Sequence, residues 1–336
     1  MHLHIPVPAM SVMNADGLIY VAIGDRVSCR LTVLKDCNLN EELILQGSPC
    51  LIPWGSRESL LVSSGNTLYL VSGSEAKPVL RARPGNWFWH GVEAQGRVFI
   101  QEYGEPPTGI YVSEDLVNFR RVASNKDVDP LSRHFHYIAF DEERGLLVAT
   151  LGDGNVVRVA VSQDHGSSWK PLYKGPWQFV PVLVDGDRWV LGFDSGIARG
   201  GVAVYYVERG DWSFTFLKAR GYRYAQFTCL IKFAGYYVGC LGSPTAIIVS
   251  RDLKYWYPLY IEGTPTPTVD YNYFVNAILW GERIVAVTGR ELLVFDYSDV
   301  ERALRGEPLL TPYKAYVDRV RGVLYVVRRL PWMLRL

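Results

Sequence analysis

Ala160-Val-Ser162-Gln-Asp164-His-Gly166-Ser-Ser-Trp169-Lys170 is the stretch on which the reading of the fold turns. An apolar pair runs into Ser-x-Asp, and an aromatic residue follows a few positions on. The same order recurs in Tyr111-Val-Ser113-Glu-Asp115-Leu-Val-Asn-Phe119-Arg120 and in Ile248-Val-Ser250-Arg-Asp252-Leu-Lys-Tyr-Trp256-Tyr257. Ser113 and Ser162 are separated by one interval in the high forties, and Ser162 and Ser250 by about twice that, so the repeat period is that of a propeller blade.

Around each copy lie an apolar strand, a turn, a second apolar strand, a third that ends in Ser-x-Asp, and a short fourth. His136–Phe140, Gly145–Thr150, Val156–Val161 and Trp169–Tyr173 show the unit well. Comparable units begin near Trp87, Gln178, Gln226 and Tyr273, with weaker ones near Met10 and Leu51. Evenly spaced strands bounded by Gly, Pro, Asn and Asp predict an all-β chain, a single β-propeller domain over residues 1–336 made of four-stranded antiparallel blades. The terminal segments either found separate blades or complete one between them, which gives seven blades, with eight possible. Asp299–Glu307 is the single short helical pattern. The alternation in Val323–Val327 places the arginine-rich tail (Arg319, Arg321, Arg328, Arg329, Arg335) on or beside a strand, its charges blunting an edge rather than forming a nucleic-acid surface, which is the alternative for such a basic cluster.

With 336 residues, 49% of them hydrophobic, the chain can bury a large core. Thirty-five basic residues against 34 acidic leave a formal charge of +1, so no general field draws it to nucleic acid or to an anionic membrane, and only a local basic patch could do so. No stretch reaches the ~18 apolar residues of a membrane span. The opening Met1–Met10 has neither a basic nor an apolar leader region, so a cytoplasmic protein is expected. Five cysteines (Cys29, Cys37, Cys50, Cys229, Cys240) form an odd set without C-x-x-C spacing. Buried free thiols are therefore expected, although Cys229 and Cys240 can face each other across one hairpin. Abundant Arg and scarce Gln hint at a thermophilic or a compositionally biased source.

The Ser162–Trp169 segment matches the S-x-D-x-G-x-x-W Asp box in full, and the chain thereby resembles the BNR-repeat, sialidase-like propellers. The resemblance implies that Ser113, Asp115, Ser162, Asp164, Gly166, Trp169, Ser250, Asp252 and Trp256 are structural. The Asp closes a tight turn through backbone N–H groups, Gly takes a conformation other residues resist, and Trp packs into the blade. It also implies a functional face opposite these turns. His4-Ile5-Pro6 ahead of Asn14–Arg26 resembles the sialidase opening, with His4 where that family carries a carboxylate-binding arginine, a role imidazole does not reproduce. Arg133 and Arg223 are then the candidate carboxylate binders, and Tyr271 and Tyr273 the candidate nucleophiles.

Aligning the innermost strands by their apolar cores sets His90-Gly-Val-Glu against His136-Tyr-Ile-Ala, with His134 two residues earlier. Gln178, Gln226 and Asn272 fall close to the same level. Three imidazoles converging on an axis would hold a divalent metal, Zn²⁺ or Mn²⁺, or act as acid and base. The arrangement is similar to that of propeller polysaccharide lyases, which use channel His and Gln around a metal. Trp87, Trp89 and Trp177 precede or open inner strands and, with Gln178 and Gln226, form a candidate ligand platform. With 10 Trp, 21 Tyr and 13 Phe in the chain, plugging and wedging are an equal use for them. Glu262–Asp270, stiffened by prolines, is a candidate specificity loop or an ordinary crossover.

No phosphate-binding loop, dinucleotide fingerprint, nucleophile elbow or zinc-protease motif is present. The expectation is a binding module at the channel mouth, for a glycan or a protein partner. The alternative is a carbohydrate-active enzyme, either a sialidase-like hydrolase or a metal-assisted lyase.

Overall fold

The computed structural model describes residues 3–25, 27–35, 38–194, 196–262 and 272–335. Seven small antiparallel sheets account for almost all of its regular structure, and the fold is an all-β seven-bladed propeller. Two compact units divide it, one built on Pro8–Lys174 and the other on Gly175–Leu334 with Met1–Val7.

The first unit holds four blades, each a four-stranded meander in chain order. Blade 1 begins with Ala9–Ala15, blade 2 with Cys50–Gly55, blade 3 with Trp87–Ala94 and blade 4 with His134–Asp141. Second strands such as Leu60–Ser64 are buried along their whole length, as strands covered on both faces must be. Fourth strands such as Arg120–Ser124 begin exposed and charged. First strands are knitted to their neighbours by side chain to backbone bonds: Ile52 N donates to Ser11 Oγ at 3.1 Å, and Phe88 N to Ser63 Oγ at 3.1 Å. The Gln101 amide donates to Phe135 O at 2.7 Å. These bonds satisfy groups that the sheet ladders leave over, inside an apolar interior where an orphan would be costly.

The second unit holds three blades, starting with Phe179–Asp185, Gln226–Phe233 and Asn276–Trp280. The last takes its fourth strand from the start of the chain: Leu3–Pro6 pairs antiparallel with Val294–Glu291. The terminal segments thus complete one blade between them, which fixes the count at seven. The blade of Phe179–Asp185 gains a fifth strand, Leu310–Pro312, on its outer edge at Leu217–Ala219.

The three Ser-x-Asp turns sit between third and fourth strands. Asp164 Oδ1 accepts from Ser168 N at 2.8 Å and Oδ2 from Ser168 Oγ at 2.6 Å, while Trp169 Nε1 donates to Gly166 O at 3.0 Å. These donors pull the Asp164 carboxyl down to about 2. Asp115 accepts from the amides of Val117 and Asn118, and Asp252 from those of Lys254 and Tyr255. The two glycine-free copies are one residue shorter between Asp and aromatic. They place Leu116 (φ 62°) and Leu253 (φ 62°) in the left-handed region that His165 (φ 57°) and Gly166 (φ 80°) occupy in the full version. The conformation is therefore kept where the glycine is not, at a cost of about 1–2 kcal/mol per leucine.

Two expectations are corrected. Cys29–Cys50 and Cys229–Cys240 are disulfides, not free thiols. Cys229 and Cys240 are register partners in one hairpin, with Cα atoms 4.9 Å apart, which is bonding range. Cys29 of blade 1 meets Cys50 of blade 2 in a shared apolar cluster. Cys37 lies outside the described residues.

The tail is not a strand. Tyr316–Met333 is a helix of 18 residues, here α3, after the short α1 (Asn125–Val128) and α2 (Tyr297–Ala303). The helix expected at Asp299–Glu307 is α2, which starts two residues earlier because Asp296 caps it, accepting from Asp299 N at 3.0 Å. No helix among the described residues is long and apolar enough to cross a membrane.

Candidate functional site

The first strand of blade 4 brings His134 and His136 together although a bulge lies between them. Its register runs Phe135↔Leu151 and then Tyr137↔Thr150, so His136 is the extra residue. A bulge re-aims a side chain, and here the two imidazoles share one side, with Nε2 atoms 3.2 Å apart. Gly152, opposite His134 in the register, makes this possible: a Cβ there would collide with the His136 ring. Asp153 follows, its Oδ2 3.7 Å from His134 Nε2. Ligating atoms of His134, His136 and Asp153 all lie within 4.8 Å of one another.

His134 Nδ1 lies 2.9 Å from Gly104 O, a carbonyl that only accepts. Nδ1 therefore carries the proton and the Nε2 lone pair points at His136, the tautomer that an outer hydrogen bond imposes on a metal-binding histidine. Burial pushes the His134 imidazole well below the usual histidine range, with the nearby His136 acting the same way. Both rings are buried and Asp153 is exposed, so the cluster opens to solvent on the carboxylate side.

Blade 3 supplies an aromatic wall. The Tyr103 ring lies 4.2 Å from that of His134, Trp89 meets Tyr103 edge-on at 4.7 Å, and Trp87 lies 5.1 Å from Tyr103. Trp89 is buried, while Trp87 is half-buried. At the rim the Arg133 guanidinium donates to Glu105, so its charge is already matched.

His90 does not join the cluster. In blade 3 the bulge falls on Trp89, between Phe88 and His90, which makes Trp89 the counterpart of His136 and His90 the counterpart of Tyr137. The pattern alignment that equated His90 with His136 is thus one residue out, because it took both strands as regular. His90 stacks on Trp89 at 4.7 Å and lies 4.4 Å from Tyr137. Its Nε2 is buried without a partner, and burial, reinforced by His136, lowers its pKa to about 3. Asp153, Tyr103 and Gly152 were missed from sequence. The readable signal was the Gly-Asp pair ending the strand opposite the histidines.

The remaining candidates belong to the other unit. Gln178 donates to Asp194 at 3.3 Å, and Gln226 has a buried, unpartnered Oε1. Trp177 is buried against Phe193 and Phe216, with ring centroids 6.1 and 5.0 Å away. Arg223 lies over the Tyr224 ring, and Asn272 donates to Thr288 O at 2.5 Å. Tyr273 is exposed, and Tyr271 with most of the Glu262–Asp270 loop lies outside the described residues. His4, in the closing strand, contacts Glu291 at 2.9 Å.

Comparison with known proteins yields a fold and no family. No family model matches the sequence, and no curated protein matches it. Among solved structures, the extracellular domain of BT4673 from B. thetaiotaomicron is similar over 87% of this chain at 9% identity and a TM-score of 0.60. This chain spans only 39% of that domain. Sqt1 of Saccharomyces cerevisiae is similar over 87% of this chain and 96% of its own, at 9% identity and a TM-score of 0.53. Identities this low establish the propeller alone.

Proposed function

We propose that the chain is a binding propeller that presents a divalent cation, Zn²⁺ or Mn²⁺, on His134, His136 and Asp153, and that its ligand completes the coordination. The observation that carries this reading is the 3.2 Å separation of the two imidazole Nε2 atoms with a carboxylate oxygen 3.7 Å from one of them. Metal–nitrogen bonds of about 2.0–2.1 Å at a tetrahedral angle place two nitrogens about 3.3 Å apart. Three protein ligands leave a position for an oxygen donor from outside. Half-buried Trp87, which adjoins the cluster through Tyr103, favours a glycan, whose ring would stack while a hydroxyl or carboxylate reaches the ion. A metal-assisted lyase is the second reading, supported by the same histidines. A sialidase finds less support, since Arg133 is matched by Glu105 and His4 by Glu291.

The three Ser-x-Asp turns support kinship with Asp-box propellers. Two disulfides favour an oxidising compartment over the cytoplasm expected from the opening residues, unless that cytoplasm is a hyperthermophile's. Elemental analysis tests the metal: near-stoichiometric Zn or Mn is expected in the purified chain, falling at least about tenfold in His134→Ala and in Asp153→Ala. A metal-free protein whose melting is indifferent to chelator and to added Zn²⁺ sinks the proposal. With metal bound, tryptophan fluorescence against an oligosaccharide panel, lost in Trp87→Ala, tests the glycan; release of unsaturated products would make the protein a lyase.

A further inference from the structure

Helix α3 presents two unlike faces. Towards the body, Asp318 and Gly322 are buried, and the Tyr313 hydroxyl donates to Asp318. Gly322 lies against Trp177 so closely that an added Cβ would sit 2.8 Å from the indole. The Arg319 guanidinium lies over the Phe216 ring. The opposite face is apolar and open: Val317, Val320, Val323, Leu324, Val327 and Leu330 are each 47–65% exposed. Their spacing at 3.6 residues per turn makes one stripe along a helix about 27 Å long. A stripe of that kind in water is costly unless something covers it.

The charges around the stripe say what covers it. At the same periodicity Arg319 falls on one border and Arg321 and Arg328 on the other, with none inside. Arg321 and Arg328 have no ion-pair partner among the described residues. Asp318 is the helix's only acid, and it is buried. Beside the first turn a pocket of about 710 Å³ gathers Arg199, Lys218, Arg223, Lys314 and Arg321 around the already bonded Asp318. Tyr316 and Trp332, 68% and 42% exposed, add amphipathic rings to the exposed surface of the helix.

We propose that α3 seats the protein on an anionic phospholipid surface, the valine–leucine stripe entering the acyl boundary while the bordering arginines and the basic pocket take headgroup phosphates. A second copy fits less well, because two such faces would oppose their arginine borders with no exposed acid on either helix.

Flotation of the intact chain with vesicles of phosphatidylcholine, with or without phosphatidylglycerol, tests this. Binding is expected only with phosphatidylglycerol and should weaken as salt rises. It should fall about tenfold or more in Val320→Asp/Val327→Asp, whose side chains already face water, and also in Arg321→Glu/Arg328→Glu. Should the valine variant fail to fold, quenching of the unaltered chain by brominated phosphatidylglycerol, absent in Trp332→Phe, is the expected result. Failure to bind phosphatidylglycerol vesicles, or binding unchanged in the folded valine variant, overturns the proposal. So does a dimer dissociated by Val327→Asp, or saturable binding to an acidic protein, without vesicle binding.

Discussion

At Gly152 the absence of one methyl group decides where an imidazole can lie. The His136 ring occupies the space that any other residue's Cβ would fill. Gly152→Ala must therefore displace the ring or the strand, at about 1–3 kcal/mol in denaturant unfolding, and should lose bound metal with it. Placing the alanine in a His136→Ala background should remove most of that stability cost, because the collision partner is gone; a cost that persists would mean the backbone, not the ring, is at issue. At this scale the sequence was partly legible. His134 and His136 stood out because His-x-His alternates onto one strand face, whereas His90 was placed wrongly because a bulge leaves no mark in an apolar pattern. Asp153 was hidden by being ordinary, a turn aspartate that register alone carries to the histidines.

Strands were read more reliably than the tail. Apolar runs broken by Gly, Asn and Asp gave the blades, since the two-residue period and the turn chemistry agree. Val323–Val327 is β-branched and short enough to fit either period, and strand propensity favoured the wrong one. What the local pattern omitted is tertiary: Trp177 against Gly322 and Tyr313 against Asp318 hold the segment as a helix. The hairpin of Gln226–Phe233 and Tyr236–Ser243 carries the opposite lesson: its spacing lets Cys229 and Cys240 face each other, whereas the odd cysteine count points to thiols. Non-reducing mass spectrometry should find both bridges. Replacing Cys29 and Cys50 together by alanine should cost about 2–4 kcal/mol in thermal or denaturant unfolding; an unchanged midpoint would show that the bridge does not form.

For the whole molecule, the blade-length interval between the Ser-x-Asp turns sufficed to give the architecture, and the last strand pairing settled the count. Leu3–Pro6 is short and only partly buried, yet it covers Glu291–Val294, which would otherwise be the open edge of the last blade. Deleting the first seven residues should lower the melting temperature markedly and broaden the transition. Adding back a peptide of the deleted sequence should restore part of the loss. A deletion variant that melts like the full chain would show that the blade stands with three strands. The identity of a ligand lay beyond the sequence because it depends on which side chains meet, and a repeat specifies only that they are brought near.

The fifth strand on the Phe179–Asp185 blade has a different bearing. Asp211–Ala219 runs Trp-Ser-Phe-Thr-Phe-Leu without a charge from Trp212 to Leu217, while its outer partner is the three residues Leu310–Pro312. Other blades guard their rims differently, with Pro78 and Arg81 in one case and Lys170 and Lys174 in another. A protease that cut between Ala303 and Leu309 would loosen this cover and leave the ladder groups of Leu217–Ala219 unpaired, lengthening an edge that is already free of charge from Trp212. Molecules nicked there would be expected to pair edge to edge through the freed strand, so limited digestion of this linker should raise light scattering where the intact chain stays clear.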